Sequence, residues 1–248
     1  MKNLSLWNKL EELKSDQYVW EDLTYELSAD TPHWHGFQPM GMKILFDYPA
    51  APMRVHEIIS PGQYGTHVDV PIHFDPKGRA MNEITLREMV YPLCVIDKSE
   101  ACWKNNDYAL TVDDVLEWEK AYGRIPEGSF VALRSDWYKR PGSNLDNRDQ
   151  DGNAHYPGWD LETVKWIVAE RNIGSLGHET ADTDPAARQA DIGFAAEDYI
   201  LRTDRIQIEL LKNLDKVPPV GAVIFCVFPC LKGGTGFPTR CFAIYPKE

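Results

Sequence analysis

Apolar residues along the chain alternate or cluster in short runs, and helical spacing replaces this pattern in a few places. Segments with strand-like patterns are Tyr18–Leu27, Met42–Phe46, Val55–Ile59, Leu93–Asp97, Phe130–Arg134, Ser175–Gly177, Ile206–Leu210, Val223–Phe228 and Cys241–Tyr245. Segments with apolar residues three or four apart predict helices over Leu4–Leu13, Val112–Ala121, Leu161–Glu170 and Ala187–Arg202. Because strands and helices alternate only in part, the pattern predicts an α/β fold without requiring a doubly wound sheet.

Composition and charge narrow the class of protein. A chain of 248 residues can bury a sizeable core, and no linker, charge block or repeat divides it, so we expect one domain over residues 1–248. The formal charge of −12 argues against nucleic acid or an anionic membrane surface as a partner. A small substrate stays compatible with this charge.

The N-terminus and the cysteines bear on location. Residues 1–7 lack the apolar core of a signal peptide, and no segment approaches the length of a membrane span. The cysteines are odd in number and form no Cys-x-x-Cys pair: Cys94, Cys102, Cys226, Cys230 and Cys241. We interpret them as reduced thiols of a cytoplasmic protein; a zinc ribbon is the alternative.

The richest chemistry lies in residues 63–74, which read QYGTHVDVPIHF. If this segment is extended, Gln63, His67 and Asp69 project from one face, because side chains alternate along a strand. A histidine and an aspartate two residues apart can bind one divalent metal ion. The alternative is a set of polar residues on a solvated edge strand.

The end of the same segment predicts a catalytic group. Pro71 has no N–H for a strand ladder, so we expect the strand to end there and His73 to lie over the pocket from a loop. An imidazole in that position can accept and return a proton near neutral pH.

The segment resembles the signature His-x-Gly-Thr-His-x-Asp-x-Pro-x-His-Phe of the cyclase family of metal-dependent hydrolases, which includes kynurenine formamidase and isatin hydrolase. The matching residues are Gly65, Thr66, His67, Asp69, Pro71, His73 and Phe74, and Gln63 replaces the first histidine. Further family-like motifs follow in order over residues 22–24, 32–36, 156–158, 177–184, 213–215 and 234–240. The resemblance implies a swivelling β/β/α fold, a single domain with a mixed barrel-like sheet and outer helices.

The resemblance also implies two distant ligands. Residues 206–215 match the surroundings of a family glutamate, which places Glu209 at the metal. Twelve residues earlier, Glu197 stands where kynurenine formamidases carry a histidine. Either acid could instead be a solvent-facing residue.

The departures at Gln63 and Glu197 exchange imidazoles for an amide and a carboxylate, so the predicted site is rich in oxygen. Such a site favours manganese more than a nitrogen-rich site does, although zinc still binds His/Asp/Glu sets. We therefore expect one divalent ion, manganese or zinc.

Several residues are predicted around the substrate. Trp34, Phe74 and Phe237 could form an aromatic wall for an aryl substrate, and Arg240 or Arg134 could bind a substrate carboxylate or form structural ion pairs.

The turn over residues 177–184 brings a further histidine to the predicted site. His178 could replace a missing ligand, or it could support the site through hydrogen bonds, the interpretation we favour. Glu179 and Asp184 are expected to order this loop.

These residues predict a metal-dependent hydrolase that cleaves a C–N or C–O bond in a small amide, lactam or lactone. Water is the expected nucleophile, and His73 is the expected general base and acid. The chain carries no Gly-x-Ser-x-Gly elbow and no Walker or dinucleotide loop. Alternatives on the same fold are a metal-free binding protein and a dehydratase or cyclase. We also expect a homo-oligomer, either a dimer or a tetramer.

Overall fold

The structure is a computed structural model that describes residues 4–140 and 145–247. Its strands are β1 (Tyr18–Asp22), β2 (Gly41–Phe46), β3 (Val55–Ile59), β4 (His67–Asp69), β5 (Val90–Asp97), β6 (Ala109–Leu110), β7 (Phe130–Arg134), β8 (Gly158–Trp159), β9 (Ser175–His178), β10 (Ile206–Glu209), β11 (Ala222–Val227), β12 (Gly236–Pro238) and β13 (Arg240–Pro246). Its α-helices are α1 (Ser5–Leu13), α2 (Ser99–Lys104), α3 (Val112–Tyr122), α4 (Leu161–Arg171), α5 (Ala186–Ile192) and α6 (Ala195–Arg202). Short 3₁₀ turns cover Pro71–His73, Met81–Glu83, Leu86–Met89, Trp137–Lys139 and Leu214–Lys216.

Nine strands form one mixed sheet in the order β1-β13-β11-β5-β7-β9-β10-β4-β12. The four strands from β5 to β10 in this order run parallel, and every other neighbouring pair is antiparallel. Only Thr239 separates β12, at one edge, from β13, which lies between β1 and β11. The chain therefore draws the two ends of the sheet together, and the predicted mixed, barrel-like sheet with outer helices is confirmed.

The central strands of the sheet are buried on both faces. On β5, Leu93 and Val95 belong to one apolar cluster, whereas Cys94 and Ile96 belong to a second cluster that includes residues of α3, α4 and α6. Successive side chains of a strand point to opposite faces, which explains the alternation. Residues 93–96 are all apolar because helices cover the second face of the sheet at this strand.

The sequence pattern misplaced a few elements. The helix expected over Ala187–Arg202 is wrong as one unit, because Gly193 has φ of 61° and separates α5 from α6. The first strand ends at Asp22, well before the expected Leu27. Strand β12, which begins at Gly236 and pairs with β4, is absent from the strands that the sequence pattern predicts.

Strands β2 and β3 form a separate antiparallel hairpin, which we call the arm (residues 41–59). Within the described ranges, no helix combines the length and apolar character needed to cross a bilayer.

Candidate functional site

Two paired strands bring four polar side chains onto one face of the sheet. The register between β4 and β10 places His67 opposite Glu209 and Asp69 opposite Gln207, so all four project from the same side. The His67 Nε2 atom lies 3.4 Å from Asp69 Oδ2 and 3.4 Å from Glu209 Oε2. The predicted pairing of His67 with Asp69 and Glu209 is therefore present in the structure, in a buried position.

The backbone before β4 fixes the orientation of the His67 ring. His67 Nδ1 lies 2.8 Å from the Gly65 carbonyl oxygen, and a proton on Nδ1 donated to this oxygen leaves Nε2 free to bind a metal. Gly65 has φ of 61°, and a Cβ atom there would lie 2.8 Å from the Thr31 methyl group. Glycine at position 65 is therefore required by both conformation and space.

Helix α6 packs on the same face of the sheet as these side chains and supplies Glu197. Both carboxylate oxygens of Asp184 accept from the Ala196 N–H, at 2.8 and 3.1 Å, and one accepts from the Glu197 N–H at 3.2 Å. These bonds satisfy free N–H groups at the start of α6 and fix its first turn, which carries Glu197. Asp184 thus orders its loop, as predicted, by holding a helix end.

His73 lies in the 3₁₀ turn that follows Pro71, outside the strand, as predicted. Its Nε2 atom is 3.9 Å from Asp69 Oδ1 and 3.9 Å from Glu197 Oε1. Its side chain is 30% exposed, whereas those of Asp69 and Glu197 are almost fully buried. His73 therefore lies between the buried acids and the open cavity.

The donor atoms form two overlapping groups that suit a divalent cation. One contains His67, Asp69 and Glu209, the other Asp69, His73 and Glu197, and within each group the atoms lie within 4.8 Å of one another. Asp69 Oδ1 is buried and has no hydrogen-bond partner among the described residues. Such an atom is costly to bury unless a cation satisfies it, and mixed imidazole and carboxylate donors suit zinc and manganese. The residues present therefore fit the implied metal.

The pKa shifts of the candidate ligands also suit a site for a cation. Burial raises the pKa of Glu209 and of Glu197 well above the usual carboxyl range, and the negative charge of Asp69 raises both further. Burial opposes a charge on His67, but the Asp69 and Glu209 carboxyl groups outweigh it and raise the pKa of this imidazole. A metal-free site therefore retains protons that a bound cation would replace.

Gln207, which was not predicted from the sequence, holds the side chains of Asp69 and Glu209 in place. Its Nε2 donates to Asp69 Oδ2 at 3.3 Å and to Glu209 Oε1 at 3.1 Å, and its Oε1 accepts from Thr183 Oγ1 at 2.7 Å. The Ile-Gln-Ile-Glu alternation over residues 206–209 was the available signal, because it puts Gln207 and Glu209 on one face.

His178 is fully buried behind this group rather than in the cavity. Its Nε2 lies 3.2 Å from Thr183 Oγ1, and burial lowers its pKa to about 3, which keeps the ring neutral. Its placement therefore matches the supporting role that we favoured and not contact with substrate.

A cavity of about 200 Å³ opens onto these residues. Its apolar wall consists of four aromatic rings, Trp34, Phe37, Phe74 and Phe194, and its remaining lining consists of Gln63, His67, Asp69, His73, Ala181, Asp182, Glu197 and Glu209. Gln63 also donates to Thr235 Oγ1 at 3.1 Å. Trp34 and Phe74 were predicted here, whereas Phe37, Phe194 and Asp182 were not, because they lie in loops.

Two predicted substrate contacts lie elsewhere. Phe237 pairs with Val68 across β12 and β4, so it points away from the face that carries His67 and Asp69. Arg240 Nη2 lies 2.6 Å from Asp22 Oδ2, and the arginine side chain is 70% exposed. Within the described chain neither residue belongs to the cavity lining, and Arg134 is likewise paired, with Asp97 and Asp136.

Comparisons with known proteins agree with this geometry. The model of the Cyclase family, described as "Putative cyclase", matches residues 21–185. The isatin hydrolase of Roseibium aggregatum is 30% identical over 190 residues, covering 74% of this chain and 72% of that protein. The kynurenine formamidase of Paracidovorax citrulli is 24% identical over 213 residues, covering 83% of this chain and 87% of that protein.

A solved structure extends the similarity to the whole chain. An isatin hydrolase bound to the product analogue thioisatinate superposes with a TM-score of 0.92 at 25% identity, covering all of both chains. With a buried His/Asp/Glu group at the centre of the matched fold, this chain belongs to the Cyclase family and is a metal-dependent hydrolase.

Proposed function

We propose that the protein hydrolyses the C–N bond of a small aromatic amide or lactam, with lactones as a possible second substrate class. The observation that carries the proposal is Asp69, a residue common to two groups of potential metal ligands beside an aromatic cavity, whose Oδ1 atom is buried without a hydrogen-bond partner among the described residues. A relative that binds thioisatinate and one that is a kynurenine formamidase support an aryl substrate.

The ion would be held by His67, Asp69 and Glu209, with Gln63 or Glu197 at its remaining positions. We propose a single ion, manganese or zinc, because the donor set mixes one imidazole with carboxylates. When bound, such an ion supplies Lewis acidity to the substrate carbonyl and lowers the pKa of a water molecule.

The protein's own groups then move the proton. His73 accepts a proton from the attacking water as the water oxygen bonds to the carbonyl carbon. The C–N bond breaks, and His73 returns the same proton to the leaving nitrogen, so that a carboxylic acid and an amine result. His73 is suited to this because its imidazole borders both the buried acids and the open cavity.

The aromatic rings would bind the rest of the substrate. Trp34, Phe37, Phe74 and Phe194 offer faces and edges on which a flat ring can pack and exclude water. The Trp34 ring folds over Gly36, where a Cβ atom would lie within 1.6 Å of it, so glycine is needed for this placement.

A substrate screen tests the proposal. Protein loaded with manganese or zinc is assayed with N-formylkynurenine, isatin-type lactams and matched lactones. Turnover that disappears on removing the metal and returns on adding it supports the hydrolase. No turnover of any compound with either metal, from folded protein, would favour the metal-free binding protein, and water loss or ring closure without hydrolysis would favour the dehydratase or cyclase.

We also propose a homo-oligomer assembled through the arm and α1. An isolated hairpin is at best marginally stable, yet the arm exposes several large apolar side chains, Met42, Ile44, Leu45, Phe46, Ile58 and Ile59. Leu6 and Trp7 of α1 are also exposed. A second copy of the chain is the expected cover, and Ile44→Lys with Ile58→Lys should shift the mass measured by light scattering to that of a monomer.

We propose further that residues 1–248 form one domain and that the protein is cytoplasmic. One sheet contains strands from nearly the whole length of the chain, the first beginning at residue 18 and the last ending at residue 246, which supports a single domain. All five cysteines are free thiols, four of them buried, which supports a reducing compartment.

A further inference from the structure

Asp182 is a carboxylate in the cavity wall that the proposed mechanism does not use. It follows β9, lines the cavity beside Ala181 and belongs to neither group of metal-binding atoms. Only 6% of the residue is exposed, although it lines the cavity. A buried acid in this position calls for a hydrogen-bond donor.

A buried tyrosine and a partly buried glutamine hold one oxygen of Asp182. The Tyr156 hydroxyl donates to Asp182 Oδ2, and Gln189 Nε2 donates to the same oxygen at 3.0 Å. Gln189 Nε2 also lies 2.8 Å from the Tyr156 hydroxyl oxygen, so the three groups form a closed cluster. The side chain is thereby fixed, with its other oxygen left for a different partner.

The second oxygen, Oδ1, has no hydrogen-bond partner in the part of the chain that the structure describes. It is not among the fully enclosed unpartnered atoms, as Asp69 Oδ1 is, so it retains contact with the cavity. The cavity thus has a fixed hydrogen-bond acceptor in addition to its metal-binding end.

We propose that Asp182 determines substrate specificity by accepting a hydrogen bond from the N–H next to the scissile carbonyl. This inference rests on the proposed function and names its substrate class as secondary amides and N–H lactams. A lactone or an N-methyl lactam places lone pairs or a methyl group against Oδ1 and leaves the acceptor unpaired. Sites built to bind a polar group reject analogues that lack it.

The first test compares matched substrates on metal-loaded enzyme. An aryl lactam is paired with the lactone of the same ring system, and kcat/KM is measured for each in the wild type and in Asp182→Asn. The asparagine oxygen can keep the bonds to Tyr156 and Gln189, which turns its NH₂ group, a donor, towards the cavity. We expect the lactam-to-lactone ratio of kcat/KM to fall about 10–100-fold, with metal content unchanged.

The matched control is Asp191→Asn, which changes an exposed aspartate at the end of α5. It should leave the ratio at the wild-type value. An equal loss on both substrates in Asp182→Asn, accompanied by loss of metal, would overturn the inference and make Asp182 a structural residue. A lactam-to-lactone ratio that stays at the wild-type value in Asp182→Asn would also overturn it.

A binding measurement separates this inference from the proposed function. Oxindole and N-methyloxindole, which differ only at the ring nitrogen, are titrated calorimetrically into wild-type protein and Asp182→Asn within a time in which neither compound is hydrolysed. Tighter binding of the N–H compound that disappears in the variant supports Asp182 even if no substrate is turned over, an outcome that would defeat only the hydrolase proposal. Equal binding of the two compounds to the wild type contradicts the role of Asp182.

Discussion

The two ends of the cavity are built in different ways. At the metal-binding end, His67, Asp69 and Glu209 lie on two strands whose register sets their positions. At the aromatic end, Trp34 and Phe194 come from a turn and from the residue before α6. The first end depends on a hydrogen-bonded ladder, and the second depends on how loops pack over it.

This difference predicts different tolerance to substitution. The backbone of a strand is held by hydrogen bonds to the neighbouring strands, so the residues beside a metal ligand cannot shift to take its place. Replacing the ligand therefore removes one metal-binding atom outright. An aromatic ring in a loop contributes mainly apolar contact, which neighbouring rings share. Substitutions at the two ends should therefore differ in size and in which property they change.

Asp69→Asn should have the largest effect. It removes the negative charge and one carboxylate oxygen of the residue common to both groups of potential ligands, so metal and activity are lost together, by about 10⁴-fold in kcat/KM. Metal content and steady-state kinetics measure this. Asp22→Asn, at the exposed partner of Arg240, is the control and should retain both; retention of full metal by Asp69→Asn would refute the assignment.

His73→Ala tests the border between the two ends. If His73 only transfers protons, turnover should fall by about 10²–10⁴-fold while the metal stays bound. His155→Ala is the control, because His155 pairs with Asp107 and Asp149 rather than lining the cavity. Loss of metal in His73→Ala would instead show that the second group, with Asp69 and Glu197, binds an ion.

The same contrast explains what the sequence could predict. His67 and Asp69 were identifiable because spacing by two residues guarantees a shared face, and Glu209 because the resemblance placed it. Phe237 was wrongly predicted to contact substrate, because the sequence does not show how its strand pairs with β4. In the structure Phe237 lies opposite Val68, whose side chain points away from the metal ligands. Phe194 and Asp182 reach the cavity only through the packing of α6 and the loop after β9, which no local pattern encodes.

The fold likewise has parts that the sequence predicts and parts that it does not. Six strands, β5, β7, β9, β10, β11 and β13, were predicted with ends within a few residues of those observed, since apolar runs between turn residues mark them. The short strands β6, β8 and β12 were not predicted, because two or three residues are too few to show a pattern. Gly193 was the available signal for the break between α5 and α6. The joining of the sheet ends through β12 and β13 depends on long-range pairing and was available only from the family resemblance.

Phe194→Ala should have a smaller effect at the aromatic end. Loss of one ring removes apolar contact worth about 1.5 kcal/mol, so KM for an aryl substrate should rise about 10-fold with kcat and metal content little changed. Steady-state kinetics measure it, and Phe242→Ala, on the β13 strand away from the cavity, is the control. A fall in metal content equal to that of Asp69→Asn would show that the two ends are not separable.

Glu179→Gln should affect activity least and should change stability with pH. Burial raises the pKa of Glu179 to about 8 from an ordinary 4.5. A raised carboxyl pKa stabilises the fold fully below pH 4.5, and this contribution is lost as pH rises through 8. Between pH 6 and 8 the wild type should lose about 1 kcal/mol of unfolding free energy per pH unit relative to the variant. Parallel stability curves from urea unfolding would contradict this.

Crystallography of the manganese-loaded protein tests the central claim most directly, because anomalous scattering locates the ion. We predict one strong peak at the β4–β10 pair, about 2.0–2.2 Å from His67 Nε2 and within bonding distance of Asp69 and Glu209 carboxylate oxygens. A fully loaded crystal with no peak at this strand pair, or with the ion bound away from His67, would contradict it.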